Sequence, residues 1–210
     1  MRKFVALIAL AIILAPTHSI ARENSGKLVF RKKFEKITAS FASDYRYSQV
    51  GLDHRHYDFG LKIPFWESWS TSINYRLVYK FKDKNNKWKQ EKRPHISLQK
   101  VFDYKFIKIE LRTRQEYRYK ADDTESSRNR SRIMIKSNKK ILHLKPFLGN
   151  EFFYDLDKKK YNKNRLIGGV SFPKSKFGNY SLYYRHFTYL DKQDNWSSDY
   201  GFVFKAIYEF

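Results

Sequence analysis

From Asp199 to Phe210 the chain alternates strictly between two kinds of side chain. Tyr200, Phe202, Phe204, Ala206, Tyr208 and Phe210 share one parity, and Asp199, Gly201, Val203, Lys205, Ile207 and Glu209 share the other. A period of two is the repeat of a β-strand, whose successive side chains point to opposite faces of a sheet. One face of this segment is therefore aromatic and apolar, and the other mixed and polar. In a soluble sheet the apolar face would point into a core. In a transmembrane barrel it points to lipid, and the polar face lines the lumen. An aromatic-rich last strand ending on Phe210 fits the second arrangement.

The same period recurs along the chain and predicts about ten strands, with eight and twelve as the alternatives. They fall near 34–46, 54–63, 68–81, 93–102, 106–119, 128–137, 142–154, 163–172, 179–190 and 199–210. In 54–63, Arg55, Tyr57, Phe59, Leu61 and Ile63 oppose His56, Asp58, Gly60 and Lys62. In 68–81, Trp69, Thr71, Ile73, Tyr75, Leu77, Tyr79 and Phe81 oppose Ser70, Ser72, Asn74 and Arg76. The clearest segment is 106–119, where Ile107, Ile109, Leu111, Thr113, Tyr117 and Tyr119 alternate with Lys108, Glu110, Arg112, Arg114, Glu116 and Arg118. In 128–137, Ile133 and Ile135 oppose Arg128, Arg130, Arg132 and Lys136; in 142–154, Leu142, Leu144, Leu148, Phe152 and Tyr154 form the apolar row.

The links between these segments also alternate. Pro64–Glu67, Asp103–Lys105, Asn138–Ile141 and Pro173–Gly178 are short, whereas Lys82–Lys92 and Lys120–Ser127 are longer and more polar. Short periplasmic turns, longer external loops and an even strand count are the pattern of a bacterial transmembrane barrel. The predicted fold is thus all-β, a transmembrane antiparallel up-and-down barrel. The rivals are a soluble β-sandwich and a lipocalin-like barrel.

The amino-terminal residues fit export. Arg2 and Lys3 precede an apolar run from Phe4 to Leu14, and small residues follow at Ser19 and Ala21. This is the pattern of a secretory signal peptide cleaved after Ala21, and the run is too short to span a bilayer, which takes about 20 apolar residues. The expected organisation is a signal at 1–21 and one barrel domain at 22–210. The chain has no cysteine, so neither disulfides nor thiolate metal sites contribute. A mean hydropathy of −0.72 combined with 18% aromatic residues excludes a disordered basic chain and a helical membrane protein. A barrel escapes the conflict because only every second residue needs to be apolar. The net charge is +22, and removing Arg2 and Lys3 leaves +20. The expected partners are therefore outer-membrane lipid and the phosphates of lipopolysaccharide. Nucleic acid is not expected for an exported chain without a nucleic-acid-binding motif.

Leu111–Tyr119, Arg128–Ile135, Lys145–Asp155 and Asn164–Phe172, with the Tyr-rich segment from Tyr180, resemble a family of bacterial outer-membrane β-barrels known only as a domain of unknown function. The shared features are an arginine-rich strand, an Asn-Glu followed by aromatics (Asn150-Glu151), and an Asn-Arg-Leu strand start (Asn164-Arg165-Leu166). The resemblance spans most of the chain after the signal and is weakest before residue 93. It implies a barrel in the outer membrane and no known activity. It also implies that Tyr208 and Phe210 act as the assembly signal read by the barrel-assembly machinery.

The candidate site is a charge ladder in the lumen, formed by Glu110, Arg112, Arg114, Glu116, Arg130, Arg132, Lys136, Glu151 and Arg165. A link centred on Lys158 sets Glu151 opposite Arg165 and Phe147 opposite Gly169. On the preceding strands Glu116 is expected opposite Arg130, and Glu110 opposite Lys136. Unlike charges across a strand pair stabilise it by about 0.2–1 kcal/mol. Two basic loops, Lys82–Lys92 around Trp88 and Asp157–Asn164 beside Tyr161, are positioned to meet lipopolysaccharide. His56, His95, His143 and His186 fall on predicted strands without metal spacing, and no serine sits in a nucleophile context. No catalytic residue, cofactor or metal is therefore expected. The sequence points to a monomeric barrel with a largely filled lumen in a structural or surface-interaction role. A narrow channel for small solutes and a lipid-modifying barrel enzyme are the alternatives.

Overall fold

The computed structural model describes residues 23–210 apart from 50, 83–86 and 192, and gives no side-chain placement for Lys82. Residues 1–22, with the expected signal and its cleavage point, lie outside the described part. Eleven strands follow one another: β1 (Asn24–Phe34), β2 (Ile37–Ser48), β3 (Gly51–Trp66), β4 (Trp69–Lys82), β5 (Lys87–Asp103), β6 (Ile107–Lys120), β7 (Glu125–Ser137), β8 (Lys145–Asp155), β9 (Lys160–Ser171), β10 (Asn179–Leu190) and β11 (Trp196–Glu209). Each pairs with the next in sequence, and β1 pairs with β11, so the sheet closes on itself.

The count corrects the expected ten. The additional strand is β1, NSGKLVFRKKF, whose alternation is short and runs into the basic tripeptide Arg31-Lys32-Lys33. With an odd number of up-and-down strands the first and last run in the same direction. The closing seam is accordingly parallel, and Ser25 to Arg31 pair with Val203 to Glu209 in steady register. The other ten pairings are antiparallel.

The faces follow the alternation. Phe59, Leu61, Ile73, Ile96, Leu111, Ile133, Ile135, Leu148, Phe152, Leu166, Leu182 and Phe202 are exposed on the outside. Asp44, His56, Asp58, Glu91, Arg93, His95, Arg114, Glu116, Arg130, Glu151 and Arg185 are buried inside. Large apolar side chains thus populate the outside of the barrel and charged ones its interior. Its interior also holds apolar groups, with Val78, Phe153 and Val203 at 1% exposure or less.

The expected contrast in loop length is absent. Connections at one rim, here the upper (49–50, 83–86, 121–124, 156–159 and 191–195), contain two to five residues. Those at the lower rim (35–36, 67–68, 104–106, 138–144 and 172–178) contain two to seven. Lys87–Lys92 and Lys160–Asn164, read as loop, are strand throughout, because cross-strand pairing carries the sheet through polar segments that show little apolar alternation. Conversely, Leu142, Leu144 and His143 leave the predicted strand for a turn. Leu142 and His143 take positive φ of 50° and 65°, and an Ile141–Leu144 bridge closes the turn.

Two adjacent glycines on β9 differ in what surrounds them. A Cβ at Gly169 would run into the Cβ and Cα of Tyr183 and the carbonyl of Leu182, whereas one at Gly168 would meet only Leu148 Cδ1, at 3.5 Å. Gly169 also faces Phe147, whose ring packs on that of Tyr183 at 5.9 Å. Gly169→Ala should therefore force β10 aside and cost about 1–3 kcal/mol. Gly168→Ala should be close to neutral, and urea unfolding of the two refolded variants checks the contrast.

Candidate functional site

The inward rows of β6, β7, β8 and β9 converge on two carboxylates. Glu116 is 0% exposed and Glu151 1% exposed. Arg128 bonds Glu116 Oε2 through Nη2 at 2.6 Å and Nε at 2.7 Å, and Arg130 Nη1 reaches Oε1 at 2.5 Å. Arg114 and Arg76 complete the shell at 3.6 and 4.0 Å. Around Glu151, Arg112 donates at 2.6 Å, Arg130 Nη2 at 3.0 Å to both oxygens, and Arg165 at 3.2 Å. Arg130 thus divides its two amino groups between two acids. A buried carboxylate is tolerated only when paired and hydrogen-bonded, and charged donors supply the strongest such bonds.

Every residue of the expected ladder lies on the lumen face, but their neighbours differ in part. Glu151 faces Arg165, and the register that places it there continues to Phe153, beyond which a bulge shifts it by one. On β6 and β7 the register differs by two from the expected one. Glu116 faces Arg128, and Glu110 faces Met134. The cause is a tight turn at 121–124, in which Lys120 N donates to Thr124 O at 3.0 Å and Asp122 accepts from the Thr124 hydroxyl at 2.6 Å. A shift of two preserves the face, so Arg130 still reaches Glu116 diagonally, and Lys136 Nζ still reaches Glu110, at 2.5 Å. Arg132, although opposite Glu151, makes no ion pair among the described residues.

The network is wider than the alternation suggested. Asp58 accepts from Arg76 at 2.6 Å and Asn74 at 2.7 Å, with His95 Nε2 at 3.8 Å. Glu91 holds Arg93 at 2.7 Å and Arg118 at 2.6 Å. Arg46 bridges Asp44 at 3.0 Å and Glu23 at 3.3 Å, and Arg185 pairs with Glu23. Two phenylalanines were also missed. Phe153 lies beneath the guanidiniums of Arg128, Arg130 and Arg165 at 4.7–5.3 Å, and Phe187 beneath Lys163 at 4.1 Å and Arg165 and Arg185 at 4.7 Å. The signal for both was parity, since Phe153 shares the face of Glu151 and Phe187 that of Arg185. An aromatic face attracts cations, and here it supports guanidiniums that the few acids leave partly uncompensated.

The outlying positions are quickly placed. Lys163, read as a loop lysine, points inward over Phe187. Lys160 donates to Asp194 at 2.6 Å, and this bond holds the Asp194 carboxyl below its ordinary range. The hydrogen bond from Thr124 does the same to Asp122. Among the described residues no three or more of His, Asp and Glu are grouped to hold a metal ion.

Residues 26–198 match the family described as Protein of unknown function (DUF2490). No curated protein matches the chain.

Shared ligation predicts a ranked set of losses. Glu151→Gln strands the guanidiniums of Arg112 and Arg165, leaves Arg130 with Glu116 alone, and should cost about 3–5 kcal/mol. Arg165→Gln should cost less, because Arg112 and Arg130 still hold Glu151. The double variant should fall clearly short of the sum in denaturant titrations, since the two side chains share one network.

Proposed function

The chain belongs to this uncharacterised family, and we propose that it is an outer-membrane barrel with a charged, largely filled lumen, serving a structural or surface-interaction role. The observation that carries the reading is the inversion of its faces: an exterior rich in exposed apolar and aromatic side chains encloses fully buried carboxylates. Water gives no reason to place Ile73 at 58% exposure while burying Glu116, but hydrocarbon does. Closure of the sheet leaves no strand edge unpaired, as a lipid environment requires. The strands contain 11 to 17 residues, enough to cross a bilayer, which takes about 9–11 when tilted.

Both rims carry exposed aromatics. Phe65, Trp66, Tyr104, Phe106 and Phe177 lie at the lower rim, and Tyr117, Tyr119, Tyr161 and Trp196 at the upper. Such girdles mark the two membrane–water interfaces. At the lower rim Lys139 sits 4.0 Å over Phe106, Lys176 5.3 Å over Phe177 and Lys32 5.6 Å over Phe210. A lysine stem lying along apolar surface with its ammonium at the polar boundary suits that position. At the upper rim Lys87, Lys89, Lys158 and Lys159 are exposed and available to lipopolysaccharide phosphates. Tyr208 stacks on Phe30 at 5.4 Å, and Phe210 N donates to Arg31 O at 3.1 Å, which puts the two residues read as the assembly signal on the outside of the seam.

Two experiments test the reading. In lipid vesicles Leu111→Arg should destabilise the protein by about 2–4 kcal/mol, as a cation on the lipid face does near the bilayer midplane. Arg112→Leu should spare the lipid contact and lose only a lumen donor; a reversed order would favour a soluble sheet. Purified protein in planar bilayers should show no discrete conductance steps, and regular steps would replace the filled lumen with the narrow channel.

A further inference from the structure

The parallel seam sets two lysines side by side. Lys27 on β1 is the direct partner of Lys205 on β11. Both have lumen parity: Lys27 lies between the buried Ser25 and Val29, and Lys205 is two residues from Val203, which is 0% exposed. Like charges directly opposite one another destabilise a strand pair. The charges of Arg132 and Lys136 also act on Lys205, as does that of Arg31. Arg132 and Lys136 belong to β7, four strands from β11 around the wall. Arg132 and Lys136 thus act on Lys205 across the lumen from another part of the wall.

The neighbouring carboxylates are already engaged. Asp44, opposite Lys27, is bonded by Arg46 at 3.0 Å. Glu110 is bonded by Lys136 at 2.5 Å, and Glu151 by Arg112, Arg130 and Arg165. Glu209 pairs with Arg31 at 3.0 Å and is exposed. Among the described residues, Lys27, Lys205 and Arg132 have no carboxylate within ion-pair distance, and Arg132 Nε is buried without a hydrogen-bond partner. All three side chains are nonetheless only half-buried on the lumen face.

We propose that Lys27, Lys205 and Arg132 form an anion-binding site inside the lumen, suited to a phosphate group. Three converging cations favour a multivalent ligand over a halide. A guanidinium fork matches two phosphate oxygens, and ammonium groups serve as point charges on the others. Walls of low dielectric strengthen each of these contacts relative to water. The site needs access from one rim only, not conduction from end to end. It stands on the lumen geometry, independently of the membrane reading.

The full chain, refolded in a phosphate-free non-ionic detergent, provides the test. Folding is verified first by heat-modifiable migration, so that failure to bind is not confused with failure to form the barrel. Inorganic pyrophosphate, titrated at constant ionic strength in a calorimeter, should bind saturably. Its affinity should fall at least tenfold in Lys205→Met, which removes a repulsion and should itself fold. Arg132→Met, on the opposite wall, should show the same loss and serves if the first variant does not fold. A parallel titration with short-chain phosphatidic acid separates the sources of the phosphate. Dependence on Lys205 and Arg132 for pyrophosphate assigns a free ligand, and dependence for the lipid alone assigns a headgroup. If neither probe binds, or if both bind equally well to wild type and variants, the site does not exist.

Discussion

Arg130 is bonded to two carboxylates at once, and that sharing sets the terms for the whole interior. The alternation supplies arginine and lysine to nearly every inward row but provides few acids to match them. Glu116 and Glu151 answer the shortage by each accepting from several guanidiniums. Such sharing ties β6, β7, β8 and β9 together through side chains in addition to their backbone ladders. It also means that no single pair can be removed without reassigning its neighbours. Phe153 and Phe187 provide a second, uncharged answer, in which ring faces take the place of acids. At Lys27 and Lys205 on the β1–β11 seam, neither an acid nor an aromatic ring pairs directly with the charge among the described residues.

The outer surface obeys the opposite rule. There the side chains interact mainly through apolar and aromatic contact, as in the row Phe41, Phe30 and Tyr208, with ring centroids 6.4 and 5.4 Å apart, and the T-shaped pair Tyr184–Phe202 at 5.6 Å. The row crosses the seam, so the parallel closure is supported on its outside by stacking, while its inward side sets Lys27 against Lys205 and is held by the buried Val29 and Val203 and by the Arg31–Glu209 pair.

The alternation made the faces legible, and with them the inward position of every member of the ladder. Leu111 against Arg112, or Glu151 against Phe152, could be sorted by parity alone, because a strand in a two-faced sheet has no other freedom. Register was legible only where the turn was guessed to within one residue. The link near Lys158 was centred well enough to set Glu151 against Arg165. The link after Lys120 was not, because the side chain of Asp122 and the backbone of Thr124 close it more tightly than its composition suggests. The first strand escaped notice for a different reason. Its apolar alternation is short and runs into Arg31-Lys32-Lys33, and one of its two partners, β11, lies at the far end of the chain. Asp58 was already on the inward row, whereas Asp44 was not singled out on its strand and Glu91 lay in a segment read as a loop, although both share the parity of the ladder.

The seam joins Lys27 to Lys205, at opposite ends of the described chain. Every other strand pair is a hairpin and closes over a short connection, so it can form as soon as its two strands exist. Joining β1 to β11 must await all of them, because the loop it closes includes nearly the entire protein and its entropic cost is the largest in the fold. Until that moment the sheet has two open edges, each an adhesive surface for another chain. The order of assembly is therefore inherent in the topology: ten fast local pairings, then one slow long-range union, with the interval between them the period of greatest exposure to aggregation.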